Sequence, residues 1–357
     1  MSSTRKLTAR VYVSLRHAMK RVIRAAGLVS IGGAKVLIEV FLDRGRPKFS
    51  FGRLSDERYN VYLLFALTRI GEVGCSASDT RVAYKWLPIR LFFKKIRINW
   101  RAPTEDILLC ESALGRRSDI LRIDRRYYSL PPSEHRLFAP YFAHPEFYRS
   151  GLHEAVRRMR GRERNVKIFF AGTHSESAYS KNFSFPILSR DKILRYLSEK
   201  SEWVGKTKID KSGSRSMLIF TTSDTRDALD KHRLSIQNYI ELMSRSDFFI
   251  CPPGGRMPHS HNLIEAMSVG TIPITNYHSY MRPPLTSDDN CLAFSTLEEF
   301  EKIIDRALQM PAAEVQRLRE GVLSYYDEHL EPKSFGKKLM ERPASILEVV
   351  VNDESGR

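Results

Sequence analysis

The sequence predicts an α/β protein built on parallel sheet, and three observations lead there. From residue 166 onward, short apolar β-type runs alternate with helix-compatible stretches, an order that builds a parallel sheet with both faces covered. At Phe248–Cys251 a fully apolar run stops at Pro252-Pro253-Gly254-Gly255 and gives way to a helical stretch, the strand–turn–helix of a crossover. The 357 residues are 42% hydrophobic and 28% charged, enough for two ordinary domains and unlike a disordered chain.

The elements follow in order. Residues 1–30 form a basic arm: Arg5, Lys6, Arg10, Arg16, Lys20, Arg21, Arg24 and Lys35 all precede the first acid, Glu39. Within it Leu7, Val11, Leu15, Ala18, Met19, Val22 and Ala26 recur at spacings of three and four. This places one apolar helix face opposite a cationic one, the pattern of an interfacial helix on anionic lipid. A packing helix with a solvated basic side and a transit peptide are the other readings of the arm. Residues 31–150 form the first domain: a strand at Lys35–Leu42, a helix at Tyr59–Ile70, and apolar runs at 88–98 and 107–110. Proline-rich punctuation at 131–132 and 139–145, before the helical stretch Leu152–Arg160, marks the junction. Residues 151–330 form the second domain, with strands at Val166–Ala171, Met217–Thr221, Asp247–Cys251, Thr271–Thr275 and Cys291–Phe294. Helices are expected at 189–200, 233–245, 260–269 and 296–309, and residues 331–357 read as a tail.

The net charge of +17 selects for anionic partners: phosphorylated substrate, membrane surface or nucleic acid. Between Arg81 and Arg101 bases interleave with Trp86, Phe92, Phe93 and Trp100, which could stack on single strands. No RNP, KH, zinc-finger or helix-turn-helix signature accompanies them, so no nucleic-acid partner is expected. The four cysteines, Cys75, Cys110, Cys251 and Cys291, lack metal-ligand spacing and point to free thiols in a reducing compartment. No run approaches a membrane-spanning length.

Chemistry concentrates at the carboxyl ends of the second-domain strands. In Gly254-Gly255-Arg256 the glycines admit a tight turn; His259 or Ser260 can cap the next helix, whose free N–H groups suit an anion. The polar loop from Gly172-Thr173-His174 lies at another strand end, where ligands collect in such sheets, and Arg190 opens the following helix. An ordinary crossover without ligand, with Glu265 as an exposed carboxylate in an ion pair and the histidines as surface or cap residues, is the alternative.

The stretch PGGRMPHSHNLIEAMSVGTIPI resembles the C-terminal motif of exostosin-like glycosyltransferases, in which a Pro-Gly loop leads to a helix containing Leu-x-Glu-Ala and then a small-Gly-x-Ile-Pro strand. Arg282-Pro283-Pro284, Leu292-Ala293-Phe294-Ser295 and, more weakly, the Pro-Tyr-x-x-His-Pro of 140–145 are similar to other parts of that family. The resemblance covers about residues 165–310. It implies a GT-B fold, two Rossmann-like domains facing across a cleft, and sugar transfer from a nucleotide donor. Glu265 would hold the donor ribose, since a carboxylate accepts two hydroxyls at once. Arg256 and Arg190, with the helix N-terminus, would neutralise the diphosphate.

Two departures stand out. The family's arginine three residues before the glutamate is Asn262 here, so Arg256, His259 or His261 would substitute. A second glutamate, eight residues before Glu265 and typical of retaining enzymes, is Met257, which favours inversion. With no DxD pair at a strand end, and Asp288-Asp289 read as a turn, neither metal nor other cofactor is expected. Asp43, ending the first strand, is the candidate base, with His144 second and Asp56 or Glu57 as replacements. The sequence thus leads to an inverting, metal-independent glycosyltransferase. It would act on a cell-surface or lipid-linked glycan and sit peripherally on the cytoplasmic face of an anionic membrane through residues 1–26. A basic nucleic-acid-binding protein and another nucleotide-dependent transferase are the competing classes.

Overall fold

In the computed structural model the described residues are 28–31, 36–38, 73–76, 96–99, 107–110, 120–124, 126–174, 183–199, 215–223, 234–341, 343, 345 and 348–352. Residues 1–26, Asp43, Asp56, Glu57, the expected helix at 59–70 and most of the basic-aromatic stretch at 81–101 lie outside them. The chain is mixed α/β with parallel sheets and divides into two compact units, residues 1–139 with 332–357, and residues 140–331.

The first unit holds two sheets. Strand β1 (Leu28–Ile31) pairs antiparallel with β3 (Val73–Ser76), which runs parallel to β4 (Ile96–Asn99). The second sheet is parallel throughout, in the order β2-β5-β6-β13-β7, with β2 at Val36–Ile38, β5 at Ile107–Cys110, β6 at Ile120–Asp124, β7 at Arg136–Phe138 and β13 at Glu348–Val350. The expected C-terminal tail is therefore partly a strand. Backbone pairing of Glu348–Val350 between β6 and β7 returns it to the first unit, and Arg136 Nε binds Glu348 Oε2 at 2.8 Å. The chain's contacts divide at residue 139, upstream of the boundary expected at 150.

The second unit contains the parallel sheet read from the alternation. Its strands are β8 (Val166–His174), β9 (Arg215–Ser223), β10 (Ser246–Cys251), β11 (Ile272–Thr275) and β12 (Leu292–Ala293), in the order β12-β11-β10-β8-β9. Ile168, Phe169, Phe170, Phe248, Phe249, Ile250, Ile272 and Ile274 are all fully buried. Because successive strand residues face opposite ways, consecutive buried residues require cover on both faces. Helices α1 (Pro145–Arg149), α2 (Leu152–Met159), α3 (Arg190–Glu199), α4 (Ile236–Ser244), α5 (His261–Ser268), α6 (Leu297–Gln309) and α7 (Ala312–Tyr325) belong to this unit; α8 (Pro332–Met340) belongs to the first. Ser235 and Thr296 cap α4 and α6 by accepting from the amides of Asn238 and Glu299, each at 3.2 Å.

Helix α5, which carries Glu265, is closed firmly at its far end. Gly270 takes a φ of +75°, its amide bonds Met267 O at 3.1 Å, and the Thr271 amide bonds Ala266 O at 2.9 Å. That pair of bonds is a Schellman motif, for which glycine at the left-handed position costs least. Two arginines reinforce it: Arg160 Nε donates to Ser268 O at 3.0 Å and Arg164 Nη2 to Val269 O at 2.7 Å. Burial, and then the neighbouring Arg319, press the Arg164 pKa down to about 9, so it stays protonated at neutral pH and complements the helix dipole.

Candidate ligand-binding site

The second unit changes direction between β8 and β10. The chain runs outward from β8 to β9, then crosses back to place β10 on the other side of β8. At such a switch point, beyond the strand carboxyl ends, open parallel sheets bind ligands. The stretches singled out in the sequence, 172–174 and 252–265, both start at this edge.

Strand β8 runs three residues beyond its expected end. Gly172, Thr173 and His174 pair with Thr221, Thr222 and Ser223 and are strand, not loop. A Cβ on Gly172 would lie 2.3 Å from Nη2 of Arg190, so the glycine makes room for that guanidinium. Arg190 is 5% exposed, and its guanidinium carbon stands 5.8 Å from the centroid of the Phe170 ring. It enters the electrostatic surroundings of Tyr239, Cys251 and Tyr277, which places a buried positive charge near the ends of β10 and β11.

The Pro-Gly loop is folded back on itself. Gly254 donates its amide to Pro258 O at 3.2 Å, and a Cβ there would come within 2.6 Å of His259 O and 2.9 Å of Met257 O. Gly254 thus serves the turn, and its amide is occupied within the loop. Arg256 is exposed, Gly255 half-buried, and Met257 buried at 6%, where a carboxylate would be costly. His259 is buried, and burial, followed by Arg282, lowers its pKa to about 3. It is therefore neutral at physiological pH and brings no positive charge to the loop. Ser260 occupies the N-cap of α5 in extended conformation but makes no side-chain capping bond, leaving that helix end without a side-chain cap. Asn262, on the first turn, is half-buried.

Glu265 is on the second turn of α5 and is 2% exposed. It is not a surface carboxylate, and among the described residues no cation stands within ion-pair distance of it. Its Oε1 accepts the backbone amide of His144 at 2.8 Å. The Tyr239 hydroxyl faces the same carboxylate without the geometry of a full hydrogen bond. Burial raises the Glu265 pKa from 4.5 to about 7, against the lowering effects of the His144 amide and Tyr239. A carboxyl group held near its midpoint at neutral pH, with few internal partners, costs stability and suits a ligand rich in hydroxyls.

His144, the second candidate base, caps α1: its Nδ1 accepts the Glu146 amide at 3.2 Å. A neutral ring bonded this way carries its proton on Nε2 and presents a donor rather than a base. Its backbone, not its ring, reaches Glu265. Asp43, the first candidate, lies outside the described residues. The structure gathers Gly172, Arg190, Gly254, His259, Ser260, Asn262 and Glu265 into the second unit at or beyond the strand ends.

It adds residues that sequence reasoning passed over: Tyr239, Tyr277 and Asn276. The Tyr277 hydroxyl and Asn276 Oδ1 are buried without a hydrogen-bond partner, although Asn276 Nδ2 donates to Leu188 O at 2.8 Å. For Asn276 the signal available in the sequence was a polar side chain directly after the β11 end. Cys251 and Cys291 are free, buried thiols, and burial pushes the Cys291 pKa up to about 12, so neither acts as a nucleophile at neutral pH. Among the described residues, no three His, Cys, Asp or Glu side chains form a group able to hold a metal, and no helix is long and apolar enough to cross a membrane.

No protein-family model matches this chain, and no curated protein matches it. Among solved structures it is similar to the crystal structure of TarM, at 10% identity and a TM-score of 0.29, over 76% of this chain. The chain spans 61% of the length of that structure, and a likeness at this TM-score carries no argument about fold or function.

Proposed function

We propose that the protein is a glycosyltransferase that moves a sugar from a nucleotide-sugar donor to a glycan or lipid-linked acceptor, and that the second unit binds the donor. The observation that carries the reading is Glu265, a buried carboxylate on the helix that follows the β10 turn, without an ion-pair partner among the described residues. In that position it accepts the ribose hydroxyls. The match of the surrounding Pro-Gly loop, Leu-x-Glu-Ala helix and Gly-x-Ile-Pro strand to the exostosin-like pattern supports the same role.

In this reading the two units correspond to the halves of a GT-B enzyme. Arg190 and Arg256, with the α5 N-terminus, neutralise the diphosphate, so the leaving group departs without a metal. The acceptor hydroxyl attacks the anomeric carbon as the carbon–phosphate-oxygen bond breaks, its proton passes to a base, and the nucleoside diphosphate leaves. Inversion at the anomeric carbon follows from this single displacement. Asp43 is the base in this scheme, ahead of His144, whose Nδ1 is occupied by capping. Residues 1–26 bring the enzyme to the cytoplasmic face of an anionic membrane.

The test is a thermal shift of the full chain with UDP, GDP and their sugar derivatives, followed by hydrolysis assays on those that bind. A nucleoside diphosphate should raise Tm, and Glu265→Gln should weaken its affinity at least about tenfold through lost charge-assisted bonds. Binding equal to wild type in folded Glu265→Gln would remove the assignment.

A further inference from the structure

The segment 140–145, Pro-Tyr-Phe-Ala-His-Pro, lies across the start of α5 and touches it through its backbone as well as its rings. His261, the first residue of α5, has Nδ1 3.0 Å from the carbonyl oxygen of Phe142. A carbonyl can only accept, so that nitrogen carries the proton and donates. The Tyr141 ring stacks on the His261 ring at 5.4 Å and 23°, and the His144 ring meets it edge-on at 5.4 Å and 86°. Two residues beyond the Phe142 carbonyl, the His144 amide donates to Glu265 Oε1 at 2.8 Å. Residues 261 and 265 are one helical turn apart on one face of α5, so two groups of the same helix grip two groups of the same segment.

We propose that His261 is a positioning residue for the binding carboxylate: by holding the Phe142 carbonyl it fixes the 140–145 segment so that the His144 amide meets Glu265. The Tyr141 and His144 rings packed against it limit how far the imidazole can turn. The functional consequence, that this contact sets how much of Glu265 is ionised and ready to accept ribose hydroxyls, rests on the reading given under Proposed function.

The other titratable groups that act on Glu265 come from three elements. Tyr239 on α4 and Tyr148 on α1 are both held neutral by burial, and Cys251 at the end of β10 is a neutral thiol. Arg190 on α3 acts on Tyr239 and Cys251. None of the three neutral groups takes the place of the amide as a fixed donor: Tyr239 lacks hydrogen-bond geometry, the Tyr148 hydroxyl accepts from the Ala143 amide at 3.1 Å and makes no hydrogen bond to Glu265, and a thiol is a weak donor. Loss of the His144 amide should therefore favour the neutral acid.

The test follows the carboxyl titration of Glu265 by NMR in the full chain labelled with ¹³C-glutamate, its signal assigned by its absence in Glu265→Gln. Wild type should titrate near pH 7. His261→Ala should raise that midpoint by about one pH unit, the loss expected for one hydrogen bond to a carboxylate. His261→Asn keeps an N–H donor near the Nδ1 position and should return the midpoint to the wild-type value. His261→Gln, whose donor sits one bond farther out, should behave like alanine and carries the test if the alanine variant does not fold. A purely structural role would lower Tm without moving the midpoint, and an unmoved midpoint in folded His261→Ala or His261→Gln overturns the proposal. UDP and GDP affinities measured across the same pH range test the ribose reading separately: if no nucleotide binds, that reading fails while the titration still decides the positioning role.

Discussion

Replacing Glu265 by glutamine isolates the stability cost of a buried acid. Gln keeps the volume and an oxygen that can accept the His144 amide at the 2.8 Å position. It removes only the titration. In the folded protein the Glu265 pKa is raised from 4.5 to about 7, chiefly by burial. Between those values the folded state binds more protons than the unfolded state, so wild-type stability falls as pH rises. The favourable difference is fully present below about pH 4.5 and is lost once pH has passed 7. A change of that size corresponds to about 3 kcal/mol. Chemical denaturation of wild type and Glu265→Gln at pH values from 4.5 to 8.5 should show the glutamine protein gaining by about that amount across the range. Titrations common to both proteins cancel in the difference. A difference that stays flat with pH would mean that Glu265 titrates as an ordinary exposed acid, and the buried-carboxylate argument would fail. Nucleotide affinity should move the opposite way, because the variant loses the charge that makes the site useful.

Gly172→Ala should cost about 1–3 kcal/mol, since its Cβ displaces the buried tip of Arg190 and presses on the Phe170 ring, and should weaken nucleoside diphosphate more than nucleoside. Gly254→Ala meets backbone oxygens at 2.6 and 2.9 Å and should destabilise by about 1–3 kcal/mol, as denaturant midpoints would show. Deleting residues 1–26 should release the protein from anionic vesicles with little change in nucleotide affinity; equal vesicle binding would remove the membrane role. Sugar transfer should survive EDTA, and loss restored by manganese would replace arginine neutralisation with a metal site.

The second unit's strands were legible because they are buried on both faces and spell themselves as unbroken apolar runs, as at Phe248–Cys251. Strand ends were less so. Gly172, Thr173 and His174 extend β8 by backbone pairing with Thr221–Ser223, which an apolar pattern does not record. Strand Glu348–Val350 was read as tail because its partners, β6 and β7, lie far upstream. Within the site, Glu265 and the Pro-Gly loop could be picked out from residue types at characteristic intervals. The burial of Glu265 could not, because the amide that bonds it belongs to His144, in a segment that reads only as proline-rich punctuation. Tyr239 and Tyr277 look like core aromatics, and only their position around Glu265, Cys251 and Arg190 sets them apart.

The neutral Asn262 poses the question of where a diphosphate would find its positive charge. His259 does not supply it, being buried and neutral, and His261 spends its Nδ1 proton on the Phe142 carbonyl. Arg160 and Arg164 are committed to the opposite end of α5, where they close its C-terminus. Arg190 comes from a different helix, and the absence of a side chain at Gly172 lets its guanidinium occupy space that an alanine Cβ would invade. Arg256 is exposed on the loop itself and can move to a ligand at little cost. The two arginines thus offer one preorganised charge and one adaptable charge. A buried guanidinium acts in a low-dielectric setting, where its attraction for phosphate is less screened than at the surface. An amide at 262 is then compatible with the proposed donor, because Arg190 on α3 and Arg256 on the loop would supply the charge while Glu265 would hold the ribose.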